Sequence, residues 1–335
     1  MTVATDVPSQ PWTGRDDGPG TDTLRWHHAV RTEPRPGQAA SARTVPDDGT
    51  ETPDAALVGF RSDEGVRRNQ GRQGAANGPA ALRRALASMA LPAPDQVWDA
   101  GDVRVADGDL EAGQHRLGAA VATLLDEGRP VVVLGGGHEV AYGSYLGIAR
   151  SRALRGAARL GVLNLDAHFD LRDDVRPSSG TPFLQMAREE ERQGRALNYW
   201  VLGVSQPSNT QRLFHTADKL GVRYLPDTEC GLLGLERAER FVDAFLAECD
   251  LVHLSIDLDV LPAAAAPGVS APAAYGVPME VVERVCTRIA ASGKLAVCDV
   301  AELNPDLDVD QRTARAGARL VHSVLTTRNA AVRPM

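Results

Sequence analysis

The stretch NLDAHFDLR, residues 164–172, places an aspartate, a histidine and a second aspartate at every other position: Asp166, His168 and Asp170. All three are metal-ligating types, and they follow directly on the apolar run LGVLNL. On a regular strand they would share one face, yet their Cα atoms would spread over roughly 13 Å, at about 3.3 Å per residue. One ion with bonds near 2 Å cannot hold both ends, so the chain curls after Asp166, or two ions sit side by side, or both. The plain alternative is a solvated alternating strand. A run that reads as buried on both faces argues against it, because three polar groups at its end then need a partner.

Two further clusters have the same form. HLSIDLDVLP sets Asp257 and Asp259 two apart after an apolar run; either they cap a following turn, or they face the same ions, since buried like charges at this spacing are costly without a cation. VVVLGGGHEV brings His138 after three glycines, a turn that lets the chain approach a neighbour or a phosphate. Together His138, Asp166, His168, Asp170, Asp257 and Asp259 offer two imidazoles, four carboxylates and no sulfur. Four negative charges balance two divalent cations and leave room for a shared hydroxide. Oxygen-rich, thiolate-free surroundings favour manganese over zinc. The chemistry implied is hydroxide attack on an electrophilic carbon or phosphorus.

Such side chains need strand ends to position them. Short apolar runs recur from residue 55 onward: AALVGF, VVVLGGG, LGVLNLD, NYWVLGVS, LVHLSIDLD and LAVCDVAEL, each predicted as a buried strand. Helical patterns lie between them: NGPAALRRALASMA with Asn77 as cap and Pro79 in the first turn, LEAGQHRLGAAVATLLDEG, LERAERFVDAFLAECD, PMEVVERVCTRIAASGK and DQRTARAGARLVHSVL. The alternation predicts an α/β fold, a mainly parallel sheet covered on both faces, in one domain over 53–330. Functional residues of such a sheet gather at the carboxyl ends of its strands. Residues 1–52 are rich in Pro, Gly, Asp and Thr with few apolar clusters, and are expected to form a disordered tail.

Composition narrows the function classes. A net charge of -8 and a pI near 5.5 argue against general attraction to nucleic acid or anionic lipid, so an anionic substrate would need local arginines. No run approaches a membrane span, and the N-terminus lacks the order of a signal peptide, so a cytoplasmic protein is expected. Cys230, Cys249, Cys286 and Cys298 form no CxxC pair and read as buried free thiols. VVVLGGGH lacks the following Lys and Ser/Thr of a phosphate loop and the spacing of a dinucleotide fingerprint.

GGGHE, DAHFD and SIDLDVLPAAAAPGVSAPAAYG resemble, in order, the three signature blocks of the ureohydrolases, the family of arginases, agmatinases and formimidoylglutamases. The resemblance covers about 57–327. It implies a three-layer α/β/α sandwich, two Mn2+ per subunit and a homo-oligomer. It also implies that one ion, on His138 and Asp170, shares Asp166 and Asp257 with a second, on His168 and Asp259. The flanking stretches GFRSDEGVRRNQGRQGAANGPAALR and SSGTPFLQ are similar to the formimidoylglutamase branch, whose substrate, N-formimidoyl-L-glutamate of histidine degradation, carries two carboxylates. The loop after the DxHxD block holds no histidine, unlike that of arginases.

A dicarboxylate needs fixed cations, and arginine presents the matching fork. Arg172 and Arg72 are the foremost candidates, ahead of Arg61, Arg67 and Arg68, with Ser179 of SSGTPF as a further substrate-binding residue. Glu302 of CDVAELNP is, by resemblance, the carboxylate that contacts the amidine, and Asp170 is a candidate proton donor to the leaving nitrogen. The rivals are an agmatinase or other guanidino-acid ureohydrolase, which would share all six ligands, and an inactive metal-binding regulatory subunit.

Overall fold

Each apolar run predicted as a strand forms one, because a segment buried on both faces satisfies its backbone only by pairing on both edges. In the computed structural model, residues 3–18, 20–32, 55–91, 97–154 and 158–332 are described. The strands are β1 (Val30–Arg31), β2 (Ala55–Arg61), β3 (Val97–Arg104), β4 (Val131–Leu134), β5 (Leu160–Leu165), β6 (Asn198–Val204), β7 (Arg223–Pro226), β8 (Leu251–Asp257) and β9 (Leu295–Ala301). The helices are α1 (Trp26–Ala29), α2 (Glu64–Arg68), α3 (Gly78–Ala87), α4 (Leu110–Asp126), α5 (Val140–Arg150), α6 (Pro182–Arg192), α7 (Gln211–Leu220), α8 (Leu235–Ala247), α9 (Met279–Ala291) and α10 (Arg312–Val332).

The sheet runs β1-β3-β2-β4-β9-β8-β5-β6-β7, and every pairing in it is parallel. Successive strand residues alternate between two cores. Val132, Leu134, Leu163, Leu165, Cys298 and Val300 pack with α3, α8, α9 and α10; Val131, Val133, Val162, Val297 and Ala301 pack with α4, α5, α6 and α7. This is the α/β/α sandwich expected. The four central strands, β4, β9, β8 and β5, end side by side, and the chain segments leaving them carry His138, Glu302, Asp257 and Asp166.

β1, β3 and β7 and the helices α1, α2, α5, α6 and α7 escaped the sequence patterns. β3 reads VWDAGDVR, with acids that Arg83 neutralises from α3: its Nε and Nη2 donate to Asp99 at 2.8 Å each, and Nη1 to Asp102. α5 (VAYGSYLGIAR) is buried along most of its length and lacks the polar face that betrays a helix, and α6 begins directly out of the SSGT loop. Asn77 does stand at the N-cap of α3, but its side chain makes no capping bond; Pro79 occupies the first turn as expected.

The N-terminal segment corrects an expectation. Residues 3–18 and 20–32 lie on the domain rather than forming a disordered tail. Asp6 and Val7 donate backbone N–H to Asp102 O, Trp12 Nε1 donates to Asp99, and β1 extends the sheet edge along β3. Trp26 is wholly buried in the α3–α10 core, where its indole N–H meets His322 Nδ1 at 2.9 Å. One buried tryptophan and an edge strand offset ordering entropy that the segment's composition hides. The rest of the expected tail, 33–52, lies outside the described residues.

Candidate binuclear metal site

The glycines before His138 serve close approach to protein backbone. A Cβ on Gly136 would stand 1.8 Å from Ser62 O, so only glycine lets the turn after β4 pass the end of β2. Gly137 N–H donates to Ser62 O, Gly135 N–H to Val300 O, and Gly136 O accepts from Glu302 N–H, which locks the ends of β2, β4 and β9 together. His138 is thereby set against β8 and β5. Asp170 and Glu302 both adopt left-handed backbone, with φ 48° and 69°. The chain does curl beyond Asp166, as the spread of roughly 13 Å along a straight strand requires.

All six sequence-predicted ligand positions come together in two overlapping groups, His138, Asp166, Asp170 and Asp257, then Asp166, His168 and Asp259, with potential ligand atoms inside each within 4.8 Å of one another. His138 Nδ1 lies 2.9 Å from Asp170 Oδ2, 3.1 Å from Asp257 Oδ2 and 3.2 Å from Asp166 Oδ2. His168 Nδ1 lies 3.1 Å from Asp259 Oδ2 and 3.5 Å from Asp166 Oδ1. Asp166 thus turns one oxygen to each group. Asp257 turns Oδ2 to the first group, while its Oδ1 accepts the Asp259 backbone N–H at 2.8 Å in the turn after β8, which holds Asp259 of the second group beside it.

The cluster fits divalent cations on its own evidence. His138 Nδ1 is buried and, despite three carboxylate oxygens around it, has no hydrogen-bond partner of acceptable geometry. Burial, then the neighbouring carboxylates, raises Asp257 far above the usual carboxylate range and raises Asp170 and Asp259 as well. Burial would raise Asp166 too, but the two histidines beside it hold it low. Four converging carboxylates in a dry site need positive charge, and hard divalent cations supply it to oxygen-rich donors of this kind.

Behind the ligands lies a buried polar chain that the sequence reading missed. His138 Nε2 meets Ser255 Oγ at 2.9 Å, Ser255 donates to Asp299 Oδ1, and His253 Nε2 meets Asp299 Oδ2. The signal was present: His253, Ser255 and Asp257 alternate along β8, giving an otherwise apolar strand one polar face. Asn164 Nδ2 donates to Asp166 Oδ2 at 2.9 Å, supporting the shared carboxylate. Glu139, also missed, accepts Ser62 Oγ–H and Gly65 N–H, and burial pushes it up to about 7. Glu302 accepts the His138 N–H at 2.9 Å, and burial followed by the charge of Glu139 pushes it up to about 8. A cation placed against Glu302 would favour its ionised form.

A cavity of about 350 Å³ opens from this cluster. Its wall holds Asp170, Glu302, Arg172, Arg72 and Ser179, so the foremost substrate candidates reach it, joined by Asn69, Gln70 and Ser270, whereas Arg61 does not. Their commitments differ. Arg172 has no ion pair among the described residues, and Gly180 makes room for it, since a Cβ there would lie 2.6 Å from Arg172 Cδ. Arg72 already donates Nε to Ser270 O and Nη2 to Val269 O, so it braces the wall. Ser179 accepts from Asn69 Nδ2 at 3.1 Å. Arg67 and Arg68 lie outside the wall. Arg67 pairs with Glu64; Arg68 pairs with Glu64 and Glu111 and also donates to Pro177 O, tying α2 to the loop after Arg172.

Comparison with known proteins places the fold and the chain in one family. The chain is 58% identical to the formimidoylglutamase of Rhodococcus jostii over 96% of its own length and 97% of that protein's, and 50% identical to that of Aeromonas hydrophila over 94% and 96%. A crystal structure of Trypanosoma cruzi formiminoglutamase with Mn2+ superposes with a TM-score of 0.73 at 28% identity, covering 84% of this chain and 95% of that one. The arginase-family model matches residues 53–326, and the chain belongs to the arginase family.

Proposed function

We propose that the chain is a formimidoylglutamase, which hydrolyses N-formimidoyl-L-glutamate to L-glutamate and formamide, with its catalytic domain over 53–330. One observation carries the choice within the family: the guanidinium of Arg172, without an ion pair among the described residues, lines the same cavity as Glu302 and the carboxylate cluster, matching a substrate with a cationic amidine at one end and carboxylates at the other. The identities to named formimidoylglutamases support it. An agmatinase reading is disfavoured, because agmatine would bring a second cation toward Arg172.

His138 and Asp170 would hold one Mn2+ and His168 and Asp259 the other, with Asp166 and Asp257 shared between them as the family resemblance implies; the proximity of these six side chains supports it. The ion pair, when bound, supplies a nucleophilic hydroxide near neutral pH and stabilises developing negative charge. The protein does the remainder. Arg172 fixes a substrate carboxylate, and Glu302 accepts the amidine N–H groups and holds the formimidoyl carbon toward the ion cluster. As water adds to that carbon and the bond to the glutamate nitrogen breaks, that nitrogen needs a proton. Asp170 lines the same cavity, which supports its role as the group that carries the proton from the attacking water to the nitrogen. The completeness of this set, with Glu302, argues against an inactive regulatory subunit.

Among the described residues no helix is long and apolar enough to cross a membrane. The four cysteines are buried and unpaired, which supports a reducing, cytoplasmic setting, and assembly into a homo-oligomer follows the family pattern. The test is one assay: protein loaded with Mn2+ is offered formimidoylglutamate, agmatine, arginine and guanidino acids, with formamide and urea monitored. Formamide from formimidoylglutamate alone is the expected result; urea from a guanidino substrate would overturn the proposal.

A further inference from the structure

Three non-glycine residues of the cavity wall have left-handed backbone: Asp170, Glu302 and Gln70, the last at φ 61°. L-residues avoid this region, and a side chain kept there against glycine's advantage is commonly one that is used. The first two have roles above. Gln70 has none.

Its backbone is a helix end of known type. Past α2, Gln70 N–H donates to Arg67 O and Gly71 N–H to Val66 O, the pair of bonds whose left-handed position is usually glycine. The strain cannot relax into the loop, because the next two residues are pinned. A Cβ on Gly71 would lie 2.6 Å from Ser270 Oγ, and Arg72 donates N–H to Ser270 Oγ at 2.8 Å and Nε to Ser270 O at 3.0 Å. Asn69, next to it, gives its amide to Ser179. The Gln70 carboxamide makes no hydrogen bond among the described residues, and it is exposed at the cavity wall.

We propose that Gln70 is a specificity-determining residue whose carboxamide N–H binds the carboxylate of the substrate that Arg172 does not hold. The inference rests on the dicarboxylate substrate proposed above. With Arg72 committed to backbone carbonyls, Arg172 is the free cation of this wall among the described residues. A second carboxylate then needs a neutral donor, and a primary amide provides one without repelling the amidine.

Gln70→Gly and Gln70→Glu separate this from a capping role. Gln70→Gly relieves the left-handed strain, so Tm should rise by about 2 °C. KM for formimidoylglutamate should rise about tenfold, the loss falling on KM rather than kcat, with bound Mn2+ unchanged. Gln70→Glu keeps the strain and repels the carboxylate, so its KM should rise at least as far without the gain in Tm. A residue that merely caps α2 would give the higher Tm in Gln70→Gly and leave KM within twofold of wild type in both variants, which overturns the proposal. If the wild type hydrolyses some other amidine or guanidine, the dicarboxylate reading fails separately. The same KM comparison is then made on that substrate: a rise confined to carboxylate-bearing compounds upholds the role of Gln70, and no rise refutes it.

Discussion

Ser255 lines no part of the cavity, yet its removal should weaken the binding of one of the two Mn2+ proposed for this site. With His138 bound through Nδ1, its Nε2 carries the proton and donates to Ser255 Oγ, which donates to Asp299 Oδ1; His253 Nε2–H supplies the other oxygen. Burial would raise the Asp299 carboxyl, but His253 and Ser255 outweigh it and hold it below the usual range, so the chain ends on an ionised acceptor. Ser255→Ala leaves the His138 N–H without a partner in a site where His138 is 1% exposed, at a cost of about 1–3 kcal/mol. Loss of such an outer partner weakens metal binding by about 10–100-fold, or ~1.4–2.8 kcal/mol, so two routes reach the same size. Asp299→Asn keeps the shape but sets an amide N–H against a hydroxyl or imidazole donor, and should match or exceed that loss. Calorimetric titration of metal-free protein with Mn2+ reads it. One of two affinities should fall, because the His168 side has no bond to Ser255 or Asp299. Two wild-type affinities in both variants, with Tm of the metal-free protein intact, would refute the orienting role of the chain.

Arg172→Ala should raise KM for formimidoylglutamate by about 10–100-fold through loss of a charge-assisted hydrogen bond, with Arg172→Lys recovering only part, as steady-state kinetics would show. Trp26→Ala should cost about 3–5 kcal/mol and lower Tm by several degrees in a thermal melt, and an unchanged Tm would restore the tail reading of the N-terminal segment. Glu64 gives a pH signature away from the metal site. Hydrogen bonds from Arg67, helped by Arg68, lower it to about 2 against an opposing burial effect. A depressed folded-state pKa stabilises fully above the unfolded value near 4.5, and the gain is lost as pH falls toward 2. The Tm gap between wild type and Glu64→Gln should therefore be widest above pH 5 and shrink by pH 3; a gap independent of pH contradicts the assignment.

Residues whose function forces a chemical type were legible, and those whose function depends on what lies across from them were not. Asp166, His168 and Asp170 announce themselves because an apolar strand has no other use for three such groups. Strands such as β4, apolar on both faces, also mark the sandwich. Asp299 and Ser255 belong to separate strands, and only the register of β8 against β9, Ser255 opposite Asp299, makes them a chain. Arg72 and Arg172 look alike in sequence; only the backbone carbonyls of Val269 and Ser270 distinguish a brace from a free cation. Trp26 was hidden by its neighbours: a single large side chain can dock a segment whose average composition reads as unfoldable.

The same physics explains where the fold concentrates its strain. Asp170, Glu302 and Gln70 hold unfavourable backbone, four aspartates converge out of water, and all of this sits where β4, β9, β8 and β5 end together. Such features, at about 1–3 kcal/mol for each strained residue, persist only when the surroundings over-determine them. Here two apolar layers clamp those strands from both faces, and the glycine turn before His138 ties β2, β4 and β9 through backbone bonds. Removing the cations would leave the carboxylates to take up protons instead, since burial already raises Asp170, Asp257 and Asp259. Metal and protons thus compete for the same carboxylates, and metal affinity must rise with pH as those protons leave.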